Sequence, residues 1–302
     1  MNNFEPLFVI GNPRSGTSLY RLILTSHSDI CVPPECGFIQ WWYEKYKTWN
    51  LSNTNNDSEV QLFVEDLKTS KKIETWNLNY EELRFNISGN SRIESYADLC
   101  LFVIESYARQ QSKTPEFLGD KNNYYVKHLD LLYTIYPKAK FLFLIRDGRD
   151  VACSYLAISK KEIKSKYKPH LPTDIEEIAK EWSENNEQIL KFSKRLPQGN
   201  FHILKYEDLV TGFDESLKDV CNLLELPFEQ SMRQFHEYNQ NKQLEPSETL
   251  EWKQKTREPI DKKNIEKYKS EMSEVQQKLF EKIAASTLEK FDYKLDYIKE
   301  GT

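Results

Sequence analysis

A chain of 302 residues with 39% hydrophobic content can bury a sizeable core, and no Pro/Gly/Ser-rich linker or composition break divides it, so residues 1–302 read as a single domain. The formal net charge of -5 gives no general reason to bind nucleic acid or an acidic membrane, and no run approaches the roughly 18–20 apolar residues of a membrane helix. The five cysteines (Cys31, Cys36, Cys100, Cys153, Cys221) form no metal-ligand run; reduced thiols in a cytoplasmic protein are the expectation, although Cys31 and Cys36 are close enough in sequence to be bridged.

Leu7-Phe8-Val9-Ile10 predicts a buried first strand. Gly11-Asn12-Pro13-Arg14-Ser15-Gly16-Thr17-Ser18 follows with the spacing of the phosphate-binding P-loop, G-x-x-x-x-G-K-[ST], except that Thr17 fills the lysine slot. A helix over Thr17–Ser26 would present its positive end to an anionic ester. Without the lysine, the loop does not suit a routine Mg-nucleotide. Phe38 to Gln111 reads as largely helical, interrupted at Asn50–Asp57 and Asn86–Asn90. Phe38, Trp42, Tyr46 and Trp49 fall on one helical face, either as core packing or as an aromatic wall for a ring-bearing or cationic acceptor.

Phe117-Leu118-Gly119 predicts a short strand, with a helix through Tyr133. Lys140–Ile145 is the next buried strand, and Arg146-Asp147-Gly148-Arg149-Asp150 comes directly after it. Arg146 would stand at the strand's carboxyl end and Ser154 about two turns into the following helix. There they can hold a second phosphate, at the edge where ligands of α/β sheets gather. Arg149 has Asp147 and Asp150 as ready partners and is left out. A helix over Asp174–Arg195, a strand over Phe201–Lys205 and helices near Glu215–Leu226 and Phe228–Tyr238 follow. Glu245–Lys263, polar and with two prolines, reads as a loop before a last helix over Ser270–Phe291. Strands separated by helical crossovers give an α/β fold with a mainly parallel central sheet flanked by helices.

Two anion motifs in this order resemble the sulfotransferases that use 3'-phosphoadenosine-5'-phosphosulfate (PAPS), over most of the chain from Leu7 to near Tyr268. The resemblance rests on Pro13-Arg14-Ser15-Gly16-Thr17-Ser18 as the 5'-phosphosulfate loop and on Arg146 with Ser154 as the 3'-phosphate motif. It implies a P-loop-like sulfotransferase fold in a soluble, bacterial-type protein, with PAPS as donor, 3'-phosphoadenosine-5'-phosphate (PAP) as product and no metal. Arg14, Ser15, Gly16, Thr17 and Ser18 would hold the 5' end of the donor, and Tyr206 matches a position close to the adenine, where core packing is the other reading. Protein-tyrosine sulfotransferases use a glutamate as base at a distance from the loop that corresponds to Glu35, a residue otherwise readable as a solvated helix cap. In cytosolic sulfotransferases the base is a histidine two residues after a lysine; that lysine corresponds to Lys121, but the histidine slot holds Asn123, so Glu35 is the candidate base and His128 the nearest alternative.

Lys121 would face charge developing on the bridging oxygen between phosphate and sulfate. The segment Glu248–Lys263 corresponds to one that covers the donor in relatives; Lys253, Lys255 and Arg257 are its open choices for a further cation. The expected reaction is sulfuryl transfer to a hydroxyl or amine of a small-molecule acceptor. Transfer to carbohydrate or peptidyl tyrosine is the close alternative, and a P-loop kinase or NTPase the alternative of another class.

Overall fold

Strands that read as continuous apolar runs are covered on both faces, and Leu7–Ile10 and Lys140–Ile145, in the middle of the sheet, are such runs. A computed structural model describes residues 6–298, so the two ends of the predicted 1–302 domain lie outside the described residues. Strands β1 (Leu7–Ile10), β2 (Ile30–Cys31), β3 (Phe117–Lys121), β4 (Lys140–Ile145) and β5 (Phe201–Lys205) form one parallel sheet in the order β2-β3-β1-β4-β5.

The period-2 alternation of β1 separates two apolar layers. Leu7 and Val9 pack with Leu142, Leu144, Ile23 of the helix Thr17–Thr25 and Val220 of the helix Phe213–Leu223. Phe8 and Ile10 pack with Phe141, Phe143, Trp182 of the helix Ile175–Ser193 and Phe280 of the helix Glu274–Lys290. All four residues of β1 are buried. Helices therefore cover both faces, as the α/β reading requires.

The differences from the sequence reading are local. β2 has only two residues, too few for any periodicity to register. β3 runs two residues beyond Gly119, so Lys121 ends the strand instead of following it. The aromatic stretch breaks into the turns Phe38–Trp41 and Tyr43–Tyr46. Glu245–Lys263 is no plain loop: Ser247–Lys253 is helical with Thr249 and Trp252 buried. Pro246 lies just before that helix, where its missing N–H removes no helical bond. All five cysteines are free and buried, so Cys31 and Cys36 are not bridged.

Candidate active site

The loops after β1, β3 and β4 leave the same edge of the sheet because these strands are parallel neighbours. The first loop needs glycine where the chain turns into the helix Thr17–Thr25. Gly16 has φ +100, and a Cβ there would lie 2.7 Å from the Tyr206 ring. The helix has no side-chain cap at its N-terminus, so its first N–H groups keep their donors for another acceptor. Gly16, Thr17 and Ser18 line a cavity of about 650 Å³.

Two arginines meet on one wall of that cavity. Arg14, held at φ 69, donates from Nε to Ser154 Oγ at 3.0 Å and from Nη2 to the Trp252 carbonyl at 3.2 Å. Arg146, at the end of β4, donates to the carbonyls of Arg14 (3.3 Å) and Asn264 (2.6 Å) and lies 4.4 Å from the Tyr206 ring centroid. Its carboxylate contact, Asp150, is at 3.9 Å, and its buried Nε has no partner among the described residues. Burial, and then the facing Arg146, lower the pKa of Arg14 to about 10. A half-buried Arg14 and a buried Arg146, partnered mainly by carbonyls and a hydroxyl, are short of negative charge, and a phosphate ester would supply it. The residues present thus fit the charged ends of an adenosine phosphosulfate.

A second cluster stands at the ends of β2 and β3. Glu35 accepts from Lys121 Nζ through Oε2 and from Lys72 Nζ through Oε1, each at 2.7 Å. Its loop is fixed by Trp76 Nε1, which donates to the Pro34 carbonyl at 2.8 Å. Burial works to raise the pKa of Glu35, but Lys121, Lys72 and Lys253 outweigh it and hold the carboxyl well below its usual range. Lys253 donates to Glu245 Oε1 at 2.6 Å, and Arg21 holds the other oxygen of Glu245 at 2.8 Å. Burial brings Lys253 down to about 8 against the pull of Glu245. Thr17 Oγ1 donates to Asn123 Oδ1 at 2.9 Å, joining the residue in the P-loop's lysine slot to the one in the histidine slot.

Comparison with known proteins gives this geometry a family. Residues 6–230 match the sulfotransferase family. This chain belongs to that family. A Caenorhabditis briggsae protein provisionally named protein-tyrosine sulfotransferase is 27% identical over 78% of this chain and 71% of its own length. The Drosophila melanogaster protein-tyrosine sulfotransferase is 24% identical over 78% of this chain, which spans only 41% of that protein. Among solved structures, the sulfotransferase domain from the curacin biosynthetic pathway has the same fold, with a TM-score of 0.62 at 19% identity over 96% of this chain and 98% of that one. The sulfotransferase domain of the Synechococcus PCC 7002 olefin synthase also matches with a TM-score of 0.62 at 19% identity, over 96% and 95% of the two chains.

In this sulfotransferase, Glu35, Lys121, Arg14, Gly16, Thr17, Ser18, Arg146, Ser154 and Tyr206 all line the one cavity. Ser15 is the exception: it is buried, its hydroxyl has no partner among the described residues, and its N–H donates to the Asn12 carbonyl at 3.1 Å. The 5' and 3' motifs also meet, since Arg14 already holds Ser154. Lys253 and Lys255 line the cavity, whereas Arg257 and His128 are not part of its wall. Phe38, Tyr46 and Trp49 are core residues, and neither they nor Trp42 reach the cavity, so the aromatic wall is not built. Lys72 was missed by sequence reasoning. It lies in a polar stretch, Ser70-Lys71-Lys72, with no motif to mark it.

Proposed function

We propose that this enzyme moves a sulfuryl group from PAPS to a hydroxyl or amine of a small-molecule acceptor, with Glu35 as general base. The observation that carries the donor is the Arg14–Arg146 corner, with its buried, unpartnered Nε beside an uncapped helix N-terminus. PAPS, when bound, supplies an activated sulfuryl group on a 5'-phosphate that departs as part of PAP.

The chain's own residues do the rest. Arg14 and the N–H groups of Gly16, Thr17 and Ser18 bind the 5' end, and Arg146 with Ser154 binds the 3'-phosphate. Tyr206 braces both by packing against Gly16 and under Arg146. Glu35 Oε2 takes the acceptor proton, and the Lys121 ammonium neutralises charge on the oxygen that leaves with the phosphate. Lys121 stands at 2.7 Å from Glu35, so both groups reach one reacting centre. In this reading residues 1–302 are one catalytic domain of a cytoplasmic protein that needs no metal, nucleic acid or membrane. The cavity draws its wall from residues as far apart as Pro13 and Lys267. No helix of the described residues is long and apolar enough to cross a membrane.

Peptidyl tyrosine is a second reading for the acceptor, favoured by the names of the Caenorhabditis and Drosophila relatives. One experiment addresses both readings. The protein is incubated with PAPS and a panel of alcohols, amines, sugars and tyrosine peptides, and sulfated products are sought by mass spectrometry. A sulfated small molecule supports the first reading, and a sulfated peptide alone replaces it with the second. Absence of PAP binding by calorimetry, together with hydrolysis of Mg-ATP, would restore the kinase alternative.

A further inference from the structure

We propose that Lys72 is the positioning residue for Glu35: it anchors Oε1, so that Oε2 is the oxygen that turns to the acceptor once Lys121 is engaged by the donor. The inference rests on the reading of Glu35 as base. The two lysines do not compete for one oxygen, since Lys121 takes Oε2 and Lys72 takes Oε1. They differ in where they stand. Lys121 ends strand β3 and is buried, while Lys72 stands just before the turn Ile73–Trp76 on the wall of the same cavity.

The backbone ties Lys72 to its partner. It adopts φ 75, a left-handed conformation uncommon for a lysine. The turn Ile73–Trp76 follows directly, with Ile73 and Trp76 buried. Trp76 Nε1 then donates to the carbonyl of Pro34, the residue before Glu35. Turn and glutamate loop are thus clamped at two points, the indole bond and the ion pair. Strained backbone held by its surroundings at a functional site is a recurrent device of pre-organisation.

The charged groups facing Glu35 are Lys121 and Asp120 from β3, Lys72 from the turn and Lys253 from the helix Ser247–Lys253. When Lys121 turns to the donor, Lys72 is the remaining cation in contact with the carboxylate. An adjacent opposite charge lowers a carboxyl pKa by about 1–3 units. Removing Lys72 therefore raises the pH below which kcat falls.

The test compares native protein with Lys72→Gln, Lys72→Arg and Glu35→Gln. Each is measured for kcat against pH at saturating donor, for PAP affinity by calorimetry and for thermal melting. In Lys72→Gln we expect a lower plateau kcat and an acid limb about one pH unit or more higher, with PAP affinity unchanged. Lys72→Arg should return the limb toward its native position. If Lys72→Gln melts below the assay temperature, Lys72→Asn, whose side chain suits the left-handed backbone, takes its place. An unmoved acid limb overturns the proposal. A loss of PAP affinity in step with rate does so too, because Lys72 would then be a donor contact. Native rate and limb in Glu35→Gln would instead remove the base reading itself.

Discussion

Arg146 and Arg149 are near neighbours in sequence and both are buried, yet their surroundings are opposite. Arg149 is closed in. Its Nη2 donates to Asp147 Oδ2 at 2.8 Å, its Nη1 to Glu281 Oε1 at 2.7 Å and to Asp296 Oδ2 at 3.3 Å, and it lies 4.0 Å from the Tyr268 ring centroid. Burial works to lower its pKa, but Asp147, Tyr268 and Glu281 together outweigh it and the net shift is upward. Arg146 has two carbonyls, an aromatic face and one orphaned nitrogen. A buried arginine with its donors filled by the protein is part of the scaffold, and one left short of anionic partners is waiting for a ligand. The same division separates the cavity, where unmet charge collects, from the network behind β4, where charge is cancelled internally.

The largest effect that would sharpen this division is on chemistry. Glu35→Gln keeps the size of the side chain and removes its basicity, so kcat with a neutral alcohol acceptor should fall by about 10²–10⁴-fold, the usual weight of general-base catalysis. PAP affinity should change little. An acceptor already ionised at assay pH should be transferred at a rate much nearer the native one, since it needs no base. A near-native rate with the neutral alcohol would take Glu35 out of the reaction.

On the scaffold side the reverse is expected. Arg149→Ala leaves Asp147 and Glu281 buried without their cation, and breaking a buried pair in this way costs about 3–5 kcal/mol. Urea or thermal unfolding should report that loss, while the folded fraction binds PAP with nearly native affinity. Loss of PAP binding at unchanged stability would erase the distinction between the two arginines. Lys121→Ala returns to the cavity. It should lower kcat by about 10²–10³, the typical loss for one donor aimed at transition-state charge, with donor affinity changing much less. A parallel loss of both would make Lys121 a ground-state contact.

The α/β fold was largely legible because its central strands β1 and β4 are apolar runs, and Leu7–Ile10, Lys140–Ile145 and Phe201–Lys205 have the predicted bounds, whereas β2 was not foreseen. Their loops carry motifs at fixed spacing, so Arg14, Gly16, Arg146 and Ser154 could be singled out by residue number. What could not be read was partnership across long separations. Nothing local relates Lys72 to Glu35, Thr17 to Asn123, or Arg21 to Glu245. The helix Ser247–Lys253 was hidden by its polar composition, because only Thr249 and Trp252 are buried along it. Arg146 and Arg149 were separable only in part: Asp147 was visible beside Arg149, but Glu281 and Asp296, which close its shell, lie more than a hundred residues away.

The smallest expected effect is also the most direct test of the comparison. Arg146→Ala withdraws a cation that lies 3.9 Å from buried Asp150, a looser contact than the 2.8 and 2.7 Å pairs of Arg149 with Asp147 and Glu281, and Asp150 still accepts from the backbone N–H groups of Glu266 at 2.9 Å and Tyr268 at 3.0 Å. It also relieves Arg14 of a like charge that helps to hold its pKa down. Stability should therefore change far less than in Arg149→Ala. Binding should lose its preference for the 3'-phosphate: native protein should hold PAP more tightly than 5'-AMP, and the variant should bring the two together. One hydrogen bond to a charged group is worth about 1.5–3 kcal/mol, so the preference should shrink roughly 10- to 100-fold while affinity for 5'-AMP stays close to native. Equal native affinity for PAP and 5'-AMP would show that the unmet donor of Arg146 serves some other anion. A large drop in melting temperature for Arg146→Ala would make it a scaffold residue after all, and the contrast with Arg149 would fall with it.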